Sequence, residues 1–115
     1  STSKADGVPV LAMVDDDGVV RYSLALNKDG SAAQSFADAK GRARVALAMN
    51  ADGSGALMFS DSNGKTPLVL ASSDKGAGAN FSDAGGEVRA SLGVDSDGTP
   101  NLRWYDEDGK ELKPK

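Results

Sequence analysis

The chain has 115 residues, enough for one domain and too few for two ordinary ones. Its 17 acidic and 13 basic side chains give a formal net charge of −4, which disfavours nucleic acid or an anionic membrane as partner because both need a positive surface. Cysteine and histidine are absent, which excludes disulfides, thiolate chemistry, the usual zinc sites and the ordinary serine and cysteine triads. No apolar run approaches the roughly 20 residues of a membrane-spanning helix, so we expect no membrane insertion.

A glycine recurs every 11 or 12 residues along most of the chain and closes a four-residue unit of the form Asp/Asn-x-x-Gly. Residues 15–18, 27–30 and 38–41 are examples. The first side chain can cap the following amides, and the glycine can take a positive φ, so each unit predicts a hairpin turn. The competing interpretation is a helix C-cap, which is disfavoured because no segment between units has a 3.6-residue period.

Strands are predicted between these turns, in chain order at residues 8–14, 19–26, 31–37, 42–49, 54–60, 65–71, 76–82, 87–94, 99–105 and, more weakly, 110–113. Their regular spacing predicts an all-β, antiparallel up-and-down meander of ten strands in a single domain. Two strands form one repeat of about 23 residues. The five repeats begin near Asp6, Asp29, Asp52, Asp74 and Asp97.

The third repeat departs from this pattern. It is one residue short, and Lys75 stands where the turn glycine belongs. Pro67 lies inside the predicted strand 65–71, at a position where sister repeats have arginine. Because proline cannot donate to a sheet ladder, the sequence predicts a break or sharp bend here, between two five-strand halves.

Alternation along the strands places large apolar side chains on one face of the sheet and small or polar ones on the other. Equivalent positions of the five repeats form a mostly aromatic stripe of Met13, Phe36, Phe59, Phe81 and Trp104. Leucines share that face, among them Leu24, Leu47, Leu70 and Leu92. We interpret this face as a core or an interface, and a ligand-binding surface is the alternative.

The apolar face is too large to stay uncovered. Ten strands about 4.8 Å apart, each of about seven residues, give a face of roughly 1,000 Å². Soluble monomers seldom expose a continuous apolar patch above roughly 300–600 Å². We therefore expect the sheet to close into a barrel, to fold into two layers or to be covered by another chain. The polar last strand suits an exposed edge and disfavours seamless closure.

The charged residues do not suggest catalysis. The aspartates lie in or beside the predicted turns, and no interior position of the apolar face carries an acid, as a glycosidase-type pair requires. We predict that the protein is not an enzyme and has no cofactor. Arg21, Arg44 and Arg89 recur at one position of the opposite face, where we expect solvated side chains, with an anion site as the alternative.

Calcium is the metal whose ligands the aspartates of the turns could supply. Three turns space their carboxylates as the start of a calcium loop does. These pairs are Asp15 and Asp17, Asp95 and Asp97, and Asp106 and Asp108. The remaining ligands of an EF-hand are missing, so we assign the aspartates to turn formation and keep weak calcium binding as the alternative.

Residues 104–110, with the sequence Trp-Tyr-Asp-Glu-Asp-Gly-Lys, resemble a single unit of the tyrosine-aspartate repeats of large bacterial surface and toxin proteins. The other repeats lack the tyrosine, so the resemblance covers about seven residues and assigns no family. The strand repeats with Asp/Gly turns are also similar to the shafts of oligomeric bacterial or phage fibres. That similarity implies an extracellular, cell-surface or virion location.

Two functions fit these observations. The favoured one is a non-catalytic structural or protein-interaction module, which forms a homo-oligomer (a trimer or a dimer) or joins a larger assembly. The alternative is a closed ten-stranded barrel that binds a small hydrophobic ligand in its interior. A ligand site normally supplies several orienting polar groups, and Gln34 is the one strong candidate on the apolar face.

Overall fold

The computed structural model describes residues 2–5 and 8–112, which form one antiparallel sheet whose strand order follows the chain from β1 to β11. The strands are β1 (Thr2–Ala5), β2 (Val8–Val14), β3 (Val20–Leu26), β4 (Ala32–Ala37), β5 (Ala43–Met49), β6 (Gly55–Phe59), β7 (Leu68–Ser73), β8 (Gly76–Ser82), β9 (Val88–Asp95), β10 (Pro100–Tyr105) and β11 (Glu111–Leu112).

The predicted all-β meander is confirmed, and each predicted strand corresponds to one of β2–β11. The strand β1 is an addition that the turn spacing did not predict. The predicted repeat start near Asp6 and the predicted strand end at Lys113 lie outside the described residues. The described part of the chain contains no helix that could cross a membrane.

The turns lie at two opposite edges of the sheet. We call one the Asp edge, formed by the turns at residues 15–18, 38–41, 61–64, 83–86 and 106–109. At this edge Asp38 Oδ1 accepts hydrogen bonds from the amides of Lys40 and Arg42, both at 3.0 Å. Gly41 has a φ of +81° and donates its amide to the Asp38 carbonyl at 2.9 Å. The turn geometry that the Asp-x-x-Gly units predict is therefore present.

We call the other edge the Asn edge, formed by the turns at residues 27–30, 50–53, 73–76 and 95–98. In the first of these turns Asp29 Oδ1 accepts the amide of Ser31 at 2.9 Å and its hydroxyl at 2.6 Å. Asn27 Nδ2 donates to the same hydroxyl oxygen at 2.9 Å. Asn50, Asp52 and Ser54 repeat this arrangement.

The third turn of the Asn edge corrects an expectation. Ser73 pairs directly with Gly76, so only Asp74 and Lys75 form the loop. Gly76 supplies the positive φ, +137°, one residue after the expected glycine position at Lys75. The missing residue therefore shortens the loop to two residues.

The predicted break at Pro67 is wrong. Pro67 lies just before β7, and its carbonyl accepts the amide of Ser82 at 2.8 Å. The strands β6 and β7 pair without a register shift from Gly55–Ser72 to Phe59–Leu68. Since the proline precedes the first ladder residue of β7, its missing N–H interrupts no ladder bond and the sheet continues.

The sheet is an open single layer. Among the described residues each strand contacts only its neighbours in sequence, and the sheet measures 53 × 31 × 17 Å. It neither closes into a barrel nor folds into two layers, and no described side chain is fully buried. The described part of the chain therefore shows neither of the two ways in which a single chain could cover its apolar face.

Candidate interaction surface

The strand register sorts the side chains of the apolar face into three rows that run across the sheet. The aromatic row, nearest the Asp edge, consists of Met13, Tyr22, Phe36, Val45, Phe59, Leu68, Phe81, Ala90, Trp104 and Leu112. The leucine row, in the middle, consists of Leu11, Leu24, Gln34, Leu47, Leu57, Leu70, Ala79, Leu92 and Leu102.

The third row lies nearest the Asn edge, and we call it the mixed row because it contains both large and small residues. It consists of Leu26, Ala32, Met49, Gly55, Ser72, Ala77, Val94 and Pro100. Between β2 and β11 no charged residue occurs in any of the three rows. The small members of the mixed row were not assigned to this face from the sequence. Counting back two residues at a time from Phe36, Phe59 and Phe81 would have found Ala32, Gly55 and Ala77.

All the stripe and leucine residues predicted for the apolar face lie in these rows. They are exposed in the single chain, from 37% for Phe59 to 61% for Met13. Neighbouring side chains pack against one another, and the rings of Tyr22 and Phe36 lie 5.1 Å apart at 59°. Phe36 stays 44% exposed despite this contact.

Two shallow depressions lie in the apolar face where the mixed row is small. One, of about 430 Å³, is bordered by Leu47, Gly55, Leu70 and Ala77. The other, of about 340 Å³, is bordered by Leu24, Ala32, Gln34 and Met49. Both are open grooves, and large residues such as Met49 project beside them. The face therefore has ridges and hollows of side-chain size.

Gln34 is the single polar residue of the leucine row. Its side chain is partly buried between Leu24 and Leu47, its cross-strand neighbours. The side-chain amide makes no hydrogen bond to any residue in the described ranges. An amide in an apolar surface costs free energy once it is covered, unless the covering molecule supplies a partner.

The opposite face is built from small residues. One of its rows contains Ala25, Ala33, Ala48, Ala56, Ala71, Gly78 and Gly93. The next row contains Ser23 and Ser35, whose hydroxyl oxygens lie 2.9 Å apart, and the larger Met58 and Val69. The predicted contrast between the two faces is present.

The recurrent arginines have a structural role at the Asp edge. Arg21, Arg44 and Arg89 are each the extra residue where the pairing shifts register, as in a β-bulge. The Nε of Arg44 donates to the Ser60 carbonyl at 2.7 Å, and its Nη1 lies 3.5 Å from Asp38 Oδ2. The guanidinium thus ties a turn to the end of the strand beyond it. Arg21 and Arg89 make equivalent bonds to the carbonyls of Ala37 and Tyr105.

The carboxylates of the three candidate calcium turns serve as hydrogen-bond acceptors. Asp15 Oδ1 accepts two turn amides and Asp106 Oδ1 does the same. Asp95 accepts from the Asn101 amide and Asp97 from the amide of Thr99. Asp17 and Asp108 contribute their own amides to these turns. Among the described residues no three acidic side chains come together as a metal site.

The same hydrogen bonds hold several aspartates ionised. Partial desolvation raises the pKa of Asp38, but bonds from the amides of Arg42 and Lys40 and from the Arg42 guanidinium outweigh it, and the pKa falls to about 2. The amide of Val19 lowers the pKa of Asp15, and the amide of Glu87 lowers that of Asp83. Hydroxyl and amide bonds lower the pKa of Asp29, Asp52 and Asp97.

No protein-family model matches the chain, and a search of curated proteins finds no significant match.

Proposed function

We propose that the protein is a non-catalytic structural or protein-interaction module that works in a homo-oligomer or larger assembly, in which its apolar face is covered. One observation carries this proposal. Three rows of side chains, uncharged from β2 to β11, span an open sheet, and most of their large members stay exposed in the single chain, from 37% for Phe59 to 61% for Met13. Such a face is larger than the roughly 300–600 Å² patch of a typical soluble monomer.

The rest of the molecule supports an interaction role. Hydrogen-bonded turns connect the strands at the Asp edge and at the Asn edge, and the guanidinium of Arg44 bridges one turn and the next strand. Because these bonds order the backbone without a core, the apolar face is available for a partner. The alternative of a closed barrel around a hydrophobic ligand has no support in an open sheet.

Sedimentation equilibrium at micromolar concentration tests the proposal. We expect a mass of more than one chain and little binding of a dye that reports exposed apolar surface. The variant Phe59→Asp places a charge in the covered face and is expected to prevent association. Burying an unpaired charge costs several kcal/mol, which is a large share of the free energy of unfolding of a small protein, roughly 5–15 kcal/mol.

Met58→Asp is the matched control, since Met58 is the preceding residue and lies on the opposite face. We expect this variant to keep the mass of the parent protein. A parent protein that stays a folded single chain over the whole concentration range contradicts the proposal.

A further inference from the structure

We infer that the apolar face is covered by the same face of a second copy of this chain, with a two-fold axis that runs along the leucine row, perpendicular to the strands. This inference rests on the proposed function and specifies its partner and arrangement. Each strand then lies over its own copy, which runs in the opposite direction. The aromatic row of one chain lies over the mixed row of the other.

The sizes of the residues at the two ends of several strands are complementary in this arrangement. β4 carries Phe36 in the aromatic row and Ala32 in the mixed row. β6 carries Phe59 and Gly55. The same relation holds in β8 for Phe81 and Ala77 and is reversed in β9 for Ala90 and Val94. In these four strands a large side chain of one copy therefore meets a small one of the other, as close packing between sheets requires. The strands β3 and β5, with Tyr22 and Leu26 and with Val45 and Met49, carry large residues at both ends.

Gln34 supports the same axis. Because it lies in the leucine row, the rotation places it opposite Gln34 of the second copy, where the two side-chain amides can bond to each other. A two-fold axis along the strands, between β6 and β7, places Gln34 over Leu92 instead and leaves the amide without a partner. Covered amides are nearly always hydrogen-bonded, so the axis along the leucine row is favoured.

The area of the face suits a stable dimer. Strands about 4.8 Å apart and six or seven residues long give roughly 1,000 Å² for the sheet. Stable interfaces of ordinary size bury about 800 Å² per partner. A self-complementary face of this kind is what a closed two-fold dimer needs, because the same patch serves both partners.

Cross-linking of single cysteine variants tests the arrangement, because the chain has no cysteine of its own. Packed sheets lie about 10 Å apart, too far for a disulfide, so a short bis-maleimide is the reagent. We expect Gln34→Cys to be cross-linked efficiently into a two-chain species. The matched control is Ala33→Cys, on the opposite face of the same strand, which is expected to stay a single chain.

Filling a hollow supplies a second test. Gly55→Leu puts a large side chain where Phe59 of the second copy packs, and we expect it to weaken dimerisation about tenfold or more. Adding Phe59→Ala to the same chain should restore most of the affinity, because the two positions face each other. Ala56→Leu, on the opposite face, should leave the affinity unchanged.

The outcomes separate the two proposals. A two-chain mass with cross-linking of Gln34→Cys and rescue of Gly55→Leu supports both. A two-chain mass in which Gln34→Cys is not cross-linked, or a three-chain mass, overturns the arrangement and leaves the proposed function standing. A single-chain mass at all concentrations overturns both.

Discussion

The turns of the Asp edge and of the Asn edge both connect neighbouring strands, but they differ in how far their side-chain hydrogen bonds reach. At the Asp edge each first-position aspartate binds two amides of its own turn, and three of the turns are also tied to the next strand by an arginine. At the Asn edge the side-chain bonds stay close to their own turn, as between Asn50, Asp52 and Ser54. The Asp edge therefore fixes the spacing of the strands, while the Asn edge tolerates a change in loop length. The shortened loop at Gly76 accordingly lies at the Asn edge.

The largest expected effect separates two glycines of the Asn edge. A Cβ at Gly76 would lie 2.5 Å from the Val94 carbonyl oxygen, at a φ of +137°, whereas one at Gly53 meets nothing within 4 Å. We expect Gly76→Ala to lower the free energy of unfolding by roughly 3 kcal/mol and Gly53→Ala by about 1 kcal/mol. Urea unfolding at one fixed protein concentration measures both. Equal losses would contradict the close backbone approach at Gly76.

Acid should weaken both edges. Asp38 has a pKa of about 2 in the folded protein, and Asp15, Asp29, Asp52, Asp83 and Asp97 have lowered values. Because the folded-state pKa is depressed, these groups stabilise the fold above their unfolded pKa of about 3.9, and the stabilisation is lost as the pH falls through the folded value. We expect stability to decrease between about pH 4 and pH 2. Asp38→Asn should flatten that profile, and an unchanged slope in the variant argues against its role.

Removing one arginine tie should have a moderate effect. Arg44→Ala removes the bond to the Ser60 carbonyl, and we expect a loss of about 1 kcal/mol because the guanidinium is partly exposed. Arg103→Ala is the control, since Arg103 lies inside β10 and its side chain makes no hydrogen bond or ion pair with a described residue, so the change should lower the free energy of unfolding by less than about 0.5 kcal/mol. Similar values for both variants in urea unfolding would show that the tie contributes nothing specific.

The smallest expected effect is a gain. Pro67 stands where three of the other repeats have an arginine, and the carbonyl of Ser82 occupies the place of the arginine acceptors. Pro67→Arg should supply the missing tie between Asp61 and Ser82 and raise the free energy of unfolding by roughly 0.5 kcal/mol. Pro67→Lys is the control, because an ammonium lacks the planar fork that reaches two acceptors. Equal changes in the two variants would assign the effect to the loss of proline alone.

Most of the fold was predictable because its signals are local. An Asp-x-x-Gly unit closes a turn with its own side chain and backbone, so spacing alone locates the turns at Asp15 and Asp38. The face of each strand follows from the same count, since the side-chain period is two. The strand β1 has no such turn unit in the described residues, and it was missed for that reason.

The wrong and missing predictions concern residues whose role depends on a contact with a residue distant in sequence. The break expected at Pro67 depends on whether the proline falls inside the ladder, and β7 begins at Leu68, one residue after the proline. The role of Gly76 depends on the Val94 carbonyl in a neighbouring strand. The arginine ties need the bulge geometry, which places the Arg44 side chain on the adjacent strand end. For the interaction surface, the rows could be read from the sequence, whereas the partner that we propose lies outside the chain's own contacts.

Each strand of the sheet pairs only with its neighbours in sequence, so duplication of a repeat can change the width of the sheet. Since each strand touches only the strands beside it, inserting one two-strand repeat leaves every other pairing intact. Each insertion widens the sheet by roughly 10 Å and adds one more unit to each row of the apolar face. The width of the sheet is therefore set by the number of repeats in the chain.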